Sequence, residues 1–171
     1  TAWPNRGLIF LRSNRVRIGV DEPLAQVLDH ELVHIILGRA FSPRPVPSWL
    51  QEGAAQLLAR QYSPELTDRL ASGLLGDSLL RLDDITRGFP RDPRRAQLAY
   101  AQSADLVAYL QNTYGDDTLS RVTLGLARGH SVDRALREAT GATALELDEA
   151  WRARLTASPM WLKPLVADST L

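Results

Sequence analysis

The feature that most constrains this chain is an apolar pattern of helical period that contains two histidines. Apolar residues recur at intervals of three and four between residues 24 and 36, and they predict a helix that Asp21 caps and Gly38 ends. His30 and His34 lie inside this helix. Residues four apart share one helix face and lie about 6 Å apart along the axis, so both imidazoles can reach one ion.

Glu31 follows the first histidine directly and lies about 100° around the helix from it. From that position its carboxylate can take a proton from a water molecule without binding the metal itself. This is the role of the glutamate in a His-Glu-x-x-His motif. Glu31 is therefore the candidate general base, and His30 and His34 are the candidate metal ligands.

A catalytic zinc needs a third protein ligand and one open position, and the chain has no cysteine to supply it. Glu52 is the better candidate, because Gly53, Ala54 and Ala55 after it are small enough to let its helix press against the first. His130 stands between Gly129 and Ser131 and is interpreted as an exposed residue at the start of a helix.

The segment His-Glu-x-x-His at 30–34, followed by Trp-Leu-x-Glu-Gly-x-Ala at 49–55, resembles the peptidase MA-like family of gluzincins, relatives of thermolysin. The resemblance covers most of residues 25–155. It implies an active-site helix pair, one zinc ion per chain and hydrolysis of peptide bonds. Many gluzincins have an acidic residue four positions after the ligand glutamate, which orients a zinc-bound histidine. Here that position is Gln56, whose amide can make the same hydrogen bond without the charge.

Peptide hydrolysis also needs a donor for the developing oxyanion, and Tyr100 is the candidate because a phenol is a good neutral donor. Tyr100 also suits a partly buried core position on a long helix, and the sequence leaves both roles open. No Gly-x-Met-Glu-Asn-type stretch that would anchor a substrate amine is present, which favours an endopeptidase over an aminopeptidase.

The predicted fold is α+β and mainly α, in a single catalytic domain over residues 1–171. Residues 7–12 and 15–20 read as a β-hairpin within 1–20, either complete or the remnant of a larger sheet. Residues 21–61 form the zinc-binding helix pair, with a capping box from Ser48 to Gln51. Residues 62–157 form a helical subdomain with helices near 64–75, 93–114, 117–128, 131–139 and 143–156, and 158–171 form a tail.

The expected partner is a peptide or protein substrate. Charge and hydropathy add little to this expectation. Lys and Arg total 20, as do Asp and Glu, so no nucleic-acid partner is expected. No stretch approaches the roughly 20 apolar residues of a membrane span, so membrane association would come through flanking segments. The resemblance and the tail favour an extracytoplasmic or membrane-associated setting, and the oligomeric state is left open.

Two rival functions remain at this stage. One is a catalytically inactive zinc-binding interaction domain of a larger membrane-associated or secreted protein, in which residues 76–95 block the cleft. The other is a helical interaction domain without metal.

Overall fold

A computed structural model describes residues 2–3, 8–9, 24–42, 44–61 and 64–157 of the chain. These residues form seven α-helices and one pair of two-residue strands. The elements are β1 (Ala2–Trp3), β2 (Leu8–Ile9), α1 (Leu24–Phe41), α2 (Ser48–Leu58), α3 (Pro64–Leu75), α4 (Pro93–Tyr114), α5 (Thr118–Ala127), α6 (Val132–Thr140) and α7 (Ala144–Ala157). None of the described helices is long and apolar enough to cross a membrane.

Apart from this short strand pair, the regular structure of the described residues is helical, so the predicted α+β class with an N-terminal β-hairpin is wrong, while the expectation of a mainly helical chain is confirmed. The hairpin prediction paired residues 7–12 with 15–20, whereas β2 pairs antiparallel with β1. Residues 10–23, with the predicted second strand and the Asp21 cap, lie outside the described part. Two residues per strand give too few hydrogen bonds and too little buried surface to build a layer of the fold.

Helix boundaries follow the local sequence signals at most of the predicted ends. The side chain of Asp92 accepts a hydrogen bond from the backbone N–H of Arg95 at 2.9 Å and caps α4. Before α7, Glu146 accepts from the backbone N–H of Thr143 at 2.7 Å and donates its own N–H to the Thr143 hydroxyl at 3.2 Å, a complete capping box.

Helix α1 continues past Gly38, where the sequence predicted its end, as far as Phe41. Glycine inside a helix costs about 1 kcal/mol relative to alanine. Phe41 is buried with only 3% of its surface exposed, and fully burying such a side chain contributes about 1.5–3 kcal/mol. Burial of Phe41 therefore outweighs the cost of the glycine.

The predicted capping box at Ser48 does not form. The residue before α2 is Pro47, and the side chain of Ser48 makes no capping hydrogen bond. Instead, the backbone N–H groups of Ser48 and Trp49 donate to the carbonyl oxygens of Thr86 and Ile85, at 2.8 and 3.2 Å. Backbone carbonyl groups of the irregular segment 76–92 thus accept hydrogen bonds from the first N–H groups of α2. A neighbouring side chain usually has this role.

Helix α4 is the centre of the packing, with α2, α3 and α5 against it. The core around it includes the fully buried side chains of Trp49, Leu50, Ile85, Leu110, Val122 and Trp151. Asp105, buried on α4, accepts a hydrogen bond from the Trp151 indole at 2.7 Å and forms an ion pair with Arg154. These two contacts tie α7 to α4.

Helix α2 lies between α1 and α4, and small residues line both of its contacts. Ala54 and Ala55 pack with Val33 of α1. On the α4 side, a Cβ added to Gly53 would lie 2.3 Å from the backbone oxygen of Ser103. Real Cβ atoms do not approach so closely, so α2 can hold this position only with glycine at residue 53.

Replacing Gly53 with alanine is expected to lower the free energy of unfolding by about 2 kcal/mol, because the new methyl group meets backbone that cannot rotate away. Urea unfolding of parent and variant measures the difference. Gly88→Ala is the matched control, since a Cβ there meets nothing within 4 Å. Equal stability of the Gly53 variant and the parent would contradict the close contact.

Candidate metal centre

The structure brings the two histidines of α1 together with the glutamate of α2. The Nε2 atoms of His30 and His34 lie 3.0 Å apart. The Oε2 atom of Glu52 lies 3.5 Å from the first and 3.6 Å from the second. Of the described residues, these three form the group of His, Asp and Glu side chains that could hold a metal ion.

The distances between these atoms fit the donor set of a zinc site. Ligand atoms about 2.1 Å from a tetrahedral zinc stand about 3.4 Å from one another, close to the three separations observed. The side chains are mostly buried, with 18%, 12% and 22% of their surfaces exposed for His30, His34 and Glu52. Without a cation, a single imidazole N–H could form a hydrogen bond across only one of the three separations between these atoms. A positive ion could interact with all three atoms, so the cluster suits a metal ion.

Gln61, just beyond α2, fixes the orientation of the first histidine. The Nδ1–H of His30 donates to the amide oxygen of Gln61 at 2.8 Å. In a neutral imidazole this leaves the lone pair on Nε2, the atom that faces His34 and Glu52. The amide nitrogen of Gln61 also approaches the carbonyl oxygen of Gln26 at 3.5 Å, so this side chain links the end of α2 to α1. No local sequence signal marks Gln61, which lies 31 residues from its partner with no motif around it.

Gln56, expected to orient a histidine, has a different partner. It is buried, and its amide nitrogen donates to the backbone oxygen of Tyr100 at 3.1 Å. Within the described part of the chain, the Nδ1 atom of His34 is buried without a hydrogen-bond partner. Gln56 therefore does not make the hydrogen bond that its position allowed, and among the described residues Gln61 accepts one from His30.

Burial and charge act on the two imidazoles with different net results. Burial lowers the pKa of His34, and the negative charge of Glu52 only partly offsets it. Burial also lowers the pKa of His30, but Glu52, Gln61 and Glu31 together raise it above its usual value. The carboxylate of Glu52 thus stabilises positive charge at both nitrogens that face it.

Glu31 and Tyr100 lie within electrostatic range of this cluster. The charge of Glu31 acts on the pKa values of His30, His34 and Tyr100. Burial, followed by the charges of Glu52 and Glu31, raises the pKa of Tyr100 above its usual value, so the phenol stays protonated and able to donate. Its ring also packs edge-on against Phe89, with 4.8 Å between centroids, so both roles left open by the sequence have a physical basis.

A cavity of about 290 Å³ adjoins the histidine cluster on the side of α3 and α4. Its lining residues are His30, Gln56, Gln61, Leu66, Arg69, Gln97 and Tyr100. No described residue of the segment 76–95 lines this cavity. The space beside His30 can therefore receive part of a ligand.

His130, the alternative third ligand, lies away from the cluster. Its Nδ1 atom is 2.9 Å from a carboxylate oxygen of Glu138 on α6. Among the described residues no other His, Asp or Glu joins His30, His34 and Glu52.

An all-helical chain with two histidines and a glutamate converging from adjacent helices defines a candidate metalloprotein. The profile of the peptidase MA superfamily matches residues 2–157, and the chain belongs to this superfamily. The superfamily is usually zinc-dependent. No curated protein and no solved structure matches the chain significantly.

Replacing Gln61 with alanine is expected to weaken zinc binding about 10- to 100-fold, because His30 loses the acceptor that sets its tautomer and ring orientation. Competition with a chromophoric chelator measures the dissociation constant. Gln61→Glu retains the acceptor and should bind zinc at least as tightly as the parent.

Gln51→Ala is the control for this experiment, since Gln51 lies on α2 but does not line the cavity beside His30. If Gln61→Ala and Gln51→Ala bind zinc equally well, the His30–Gln61 hydrogen bond has no part in holding the metal.

Proposed function

We propose that this protein is a zinc-dependent peptidase in which His30, His34 and Glu52 hold the metal and Glu31 is the general base. The observation that carries the proposal is the convergence of those three donor atoms, 3.0–3.6 Å apart, in a chain of the peptidase MA superfamily. The substrate is a peptide or protein, and an endopeptidase activity is favoured. Residues 1–171 are proposed to form one catalytic domain.

Zinc bound at such a site lowers the pKa of a water molecule towards about 7 and polarises a carbonyl group. The chain's own residues provide the rest of the chemistry. His30 and His34 present Nε2 lone pairs, and Glu52 contributes one negative charge, so the loaded site keeps a single positive charge. The hydrogen bond from His30 to Gln61 holds the first imidazole in the required tautomer.

Glu31 moves the proton in the proposed reaction. Its carboxylate takes a proton from the attacking water and later delivers it to the nitrogen of the leaving amine. The neutral phenol of Tyr100 donates a hydrogen bond to the oxygen that becomes negative during the attack. The raised pKa of Tyr100 keeps that proton in place.

The rival function, an inactive zinc-binding interaction domain, predicts that residues 76–95 block the cleft. The cavity beside His30 argues against a fully blocked cleft, because none of its described lining residues comes from that segment, although Ser78 and Arg94 line the neighbouring cavity between α3 and α4. Both functions predict bound zinc, and cleavage that depends on Glu31 separates them.

Elemental analysis of the purified chain is expected to find one zinc per chain after reconstitution. His30→Ala and Glu52→Ala should lose the metal or bind it much more weakly, because two protein ligands do not complete a zinc site. His130→Ala is the matched control, since His130 lies outside the cluster, and it should retain the zinc of the parent. A reconstituted parent without zinc would rule out the peptidase proposal.

Glu31→Gln is expected to retain zinc and lose cleavage of casein-derived peptides by roughly 10²–10⁴-fold, the usual contribution of a general base. Asp29→Asn is the control, because it removes a carboxylate from the exposed side of the same helix. Peptide products are measured by mass spectrometry with zinc content determined on the same samples. Undiminished cleavage by a zinc-loaded Glu31→Gln protein would remove Glu31 from the mechanism.

A further inference from the structure

A second cavity lies between α3 and α4, next to the inner cavity beside the candidate metal centre. The second cavity measures about 430 Å³, and Arg69 and Gln97 line both. The two volumes together lie within the range of about 300–1,000 Å³ that is usual for ligand sites. Because the two spaces share these walls, they are neighbours at the α3–α4 contact, and we call them together the cleft. A peptide bound at the candidate metal centre would place a neighbouring side chain in the inner cavity, beside Arg69.

Arginine dominates the charge of the cleft. Apart from the candidate ligand His30, Arg69 is the one ionisable cation among the described residues that line the inner cavity. Arg94 lines the outer cavity, and Asp68 is the one acidic residue among the described lining of either. The cleft therefore offers a net positive charge next to the site of reaction.

Neither of these two arginines has an acidic partner among the described residues. Five arginines elsewhere form ion pairs with carboxylates: Arg81, Arg121, Arg134, Arg152 and Arg154. Arg69 and Arg94 are exposed, and neither forms an ion pair or a side-chain hydrogen bond within the described part. Their guanidinium groups keep all their donors for a ligand.

We propose that this cleft selects peptides with an acidic side chain near the scissile bond, and that Arg69 binds the substrate carboxylate. A guanidinium group offers paired N–H donors that match the two oxygens of a carboxylate. The amide of Gln97 lies in the same walls and supplies a further neutral donor. Arg94 extends the preference to a second acidic residue farther along the peptide. The inference rests on the proposed peptidase function, for which it names the substrate class.

The test uses the zinc-loaded 171-residue chain and a degenerate peptide library, with cleavage sites identified by mass spectrometry. Glutamate or aspartate is expected to be enriched at a position close to the cleaved bond. In matched peptides, glutamate at that position should give about fivefold higher kcat/KM than glutamine, the range of a partly exposed ion pair. The preference should shrink in 0.5 M salt, at which such pairs are screened.

Arg69→Gln should abolish the preference for glutamate over glutamine, measured as the ratio of kcat/KM for the two peptides. Arg69→Glu should shift the preference to lysine at the same position, a change that a purely structural role would not produce. Arg95→Gln is the matched control, because Arg95 is exposed on the same helix as Arg94 but lines neither cavity. Glu31-dependent cleavage without acidic preference, or with a preference unchanged in Arg69→Gln, would overturn the inference and leave the peptidase proposal intact.

If the chain cleaves no peptide, the peptidase proposal is overturned, and a binding measurement then tests the acidic subsite. Fluorescence anisotropy compares labelled glutamate-rich and glutamine-rich peptides on the zinc-loaded Glu31→Gln protein. Tighter binding of the glutamate-rich peptide that is lost in Glu31→Gln/Arg69→Gln supports the acidic subsite. Equal binding of the two peptides overturns it.

Discussion

The approach of α2 to α4 determines where the glutamate of the site can stand. Gly53 lies so close to the backbone oxygen of Ser103 that no side chain fits between the helices. Packed helices usually have their axes about 8–10 Å apart, and the size of the side chains at the contact sets that distance. Since Glu52 directly precedes Gly53, a change at this contact would move its carboxylate relative to His30 and His34. The geometry of the candidate metal site thus depends on how closely the backbones of α2 and α4 pack at Gly53.

Both ends of α2 are held by groups from other parts of the chain. Its first N–H groups donate to the carbonyl oxygens of Ile85 and Thr86, and Gln61 beyond its last turn binds the ring of His30. The segment 76–92, although irregular, therefore helps to set the position of Glu52. A metal ion that binds these residues only in the folded chain would raise the free energy of unfolding. The increase grows with the logarithm of the metal concentration divided by the dissociation constant.

Local signals in the sequence predicted most helices and the three clustered side chains, because caps and helix-face spacing depend on neighbours within one turn. Asp92 at the start of α4 and the i, i+4 histidines on α1 are examples. The missed features depend on distant partners. Gln61 contacts a residue 31 positions away, and the N–H groups of Ser48 are satisfied by Thr86 instead of a local side chain. The apolar periodicity of α1 was also misleading about burial, because Leu32 and Ile36 are 48% and 56% exposed.

Two polar neighbours of the histidines are amides and not carboxylates, and this bears on the charge of the candidate metal centre and of the cleft beside it. Gln56 and Gln61 are near the imidazoles and carry uncharged amides. Among the described residues that act on the pKa values of the histidines, Glu52 and Glu31 are therefore the sources of negative charge. A carboxylate in the place of Gln61 would strengthen metal binding but would also neutralise more of the metal's charge. With amides, more positive charge remains to polarise a carbonyl group and to attract anions. Arg69 lines the cavity beside His30 and adds positive charge to the same region, so the proposed metal centre and the proposed subsite would attract the same acidic groups.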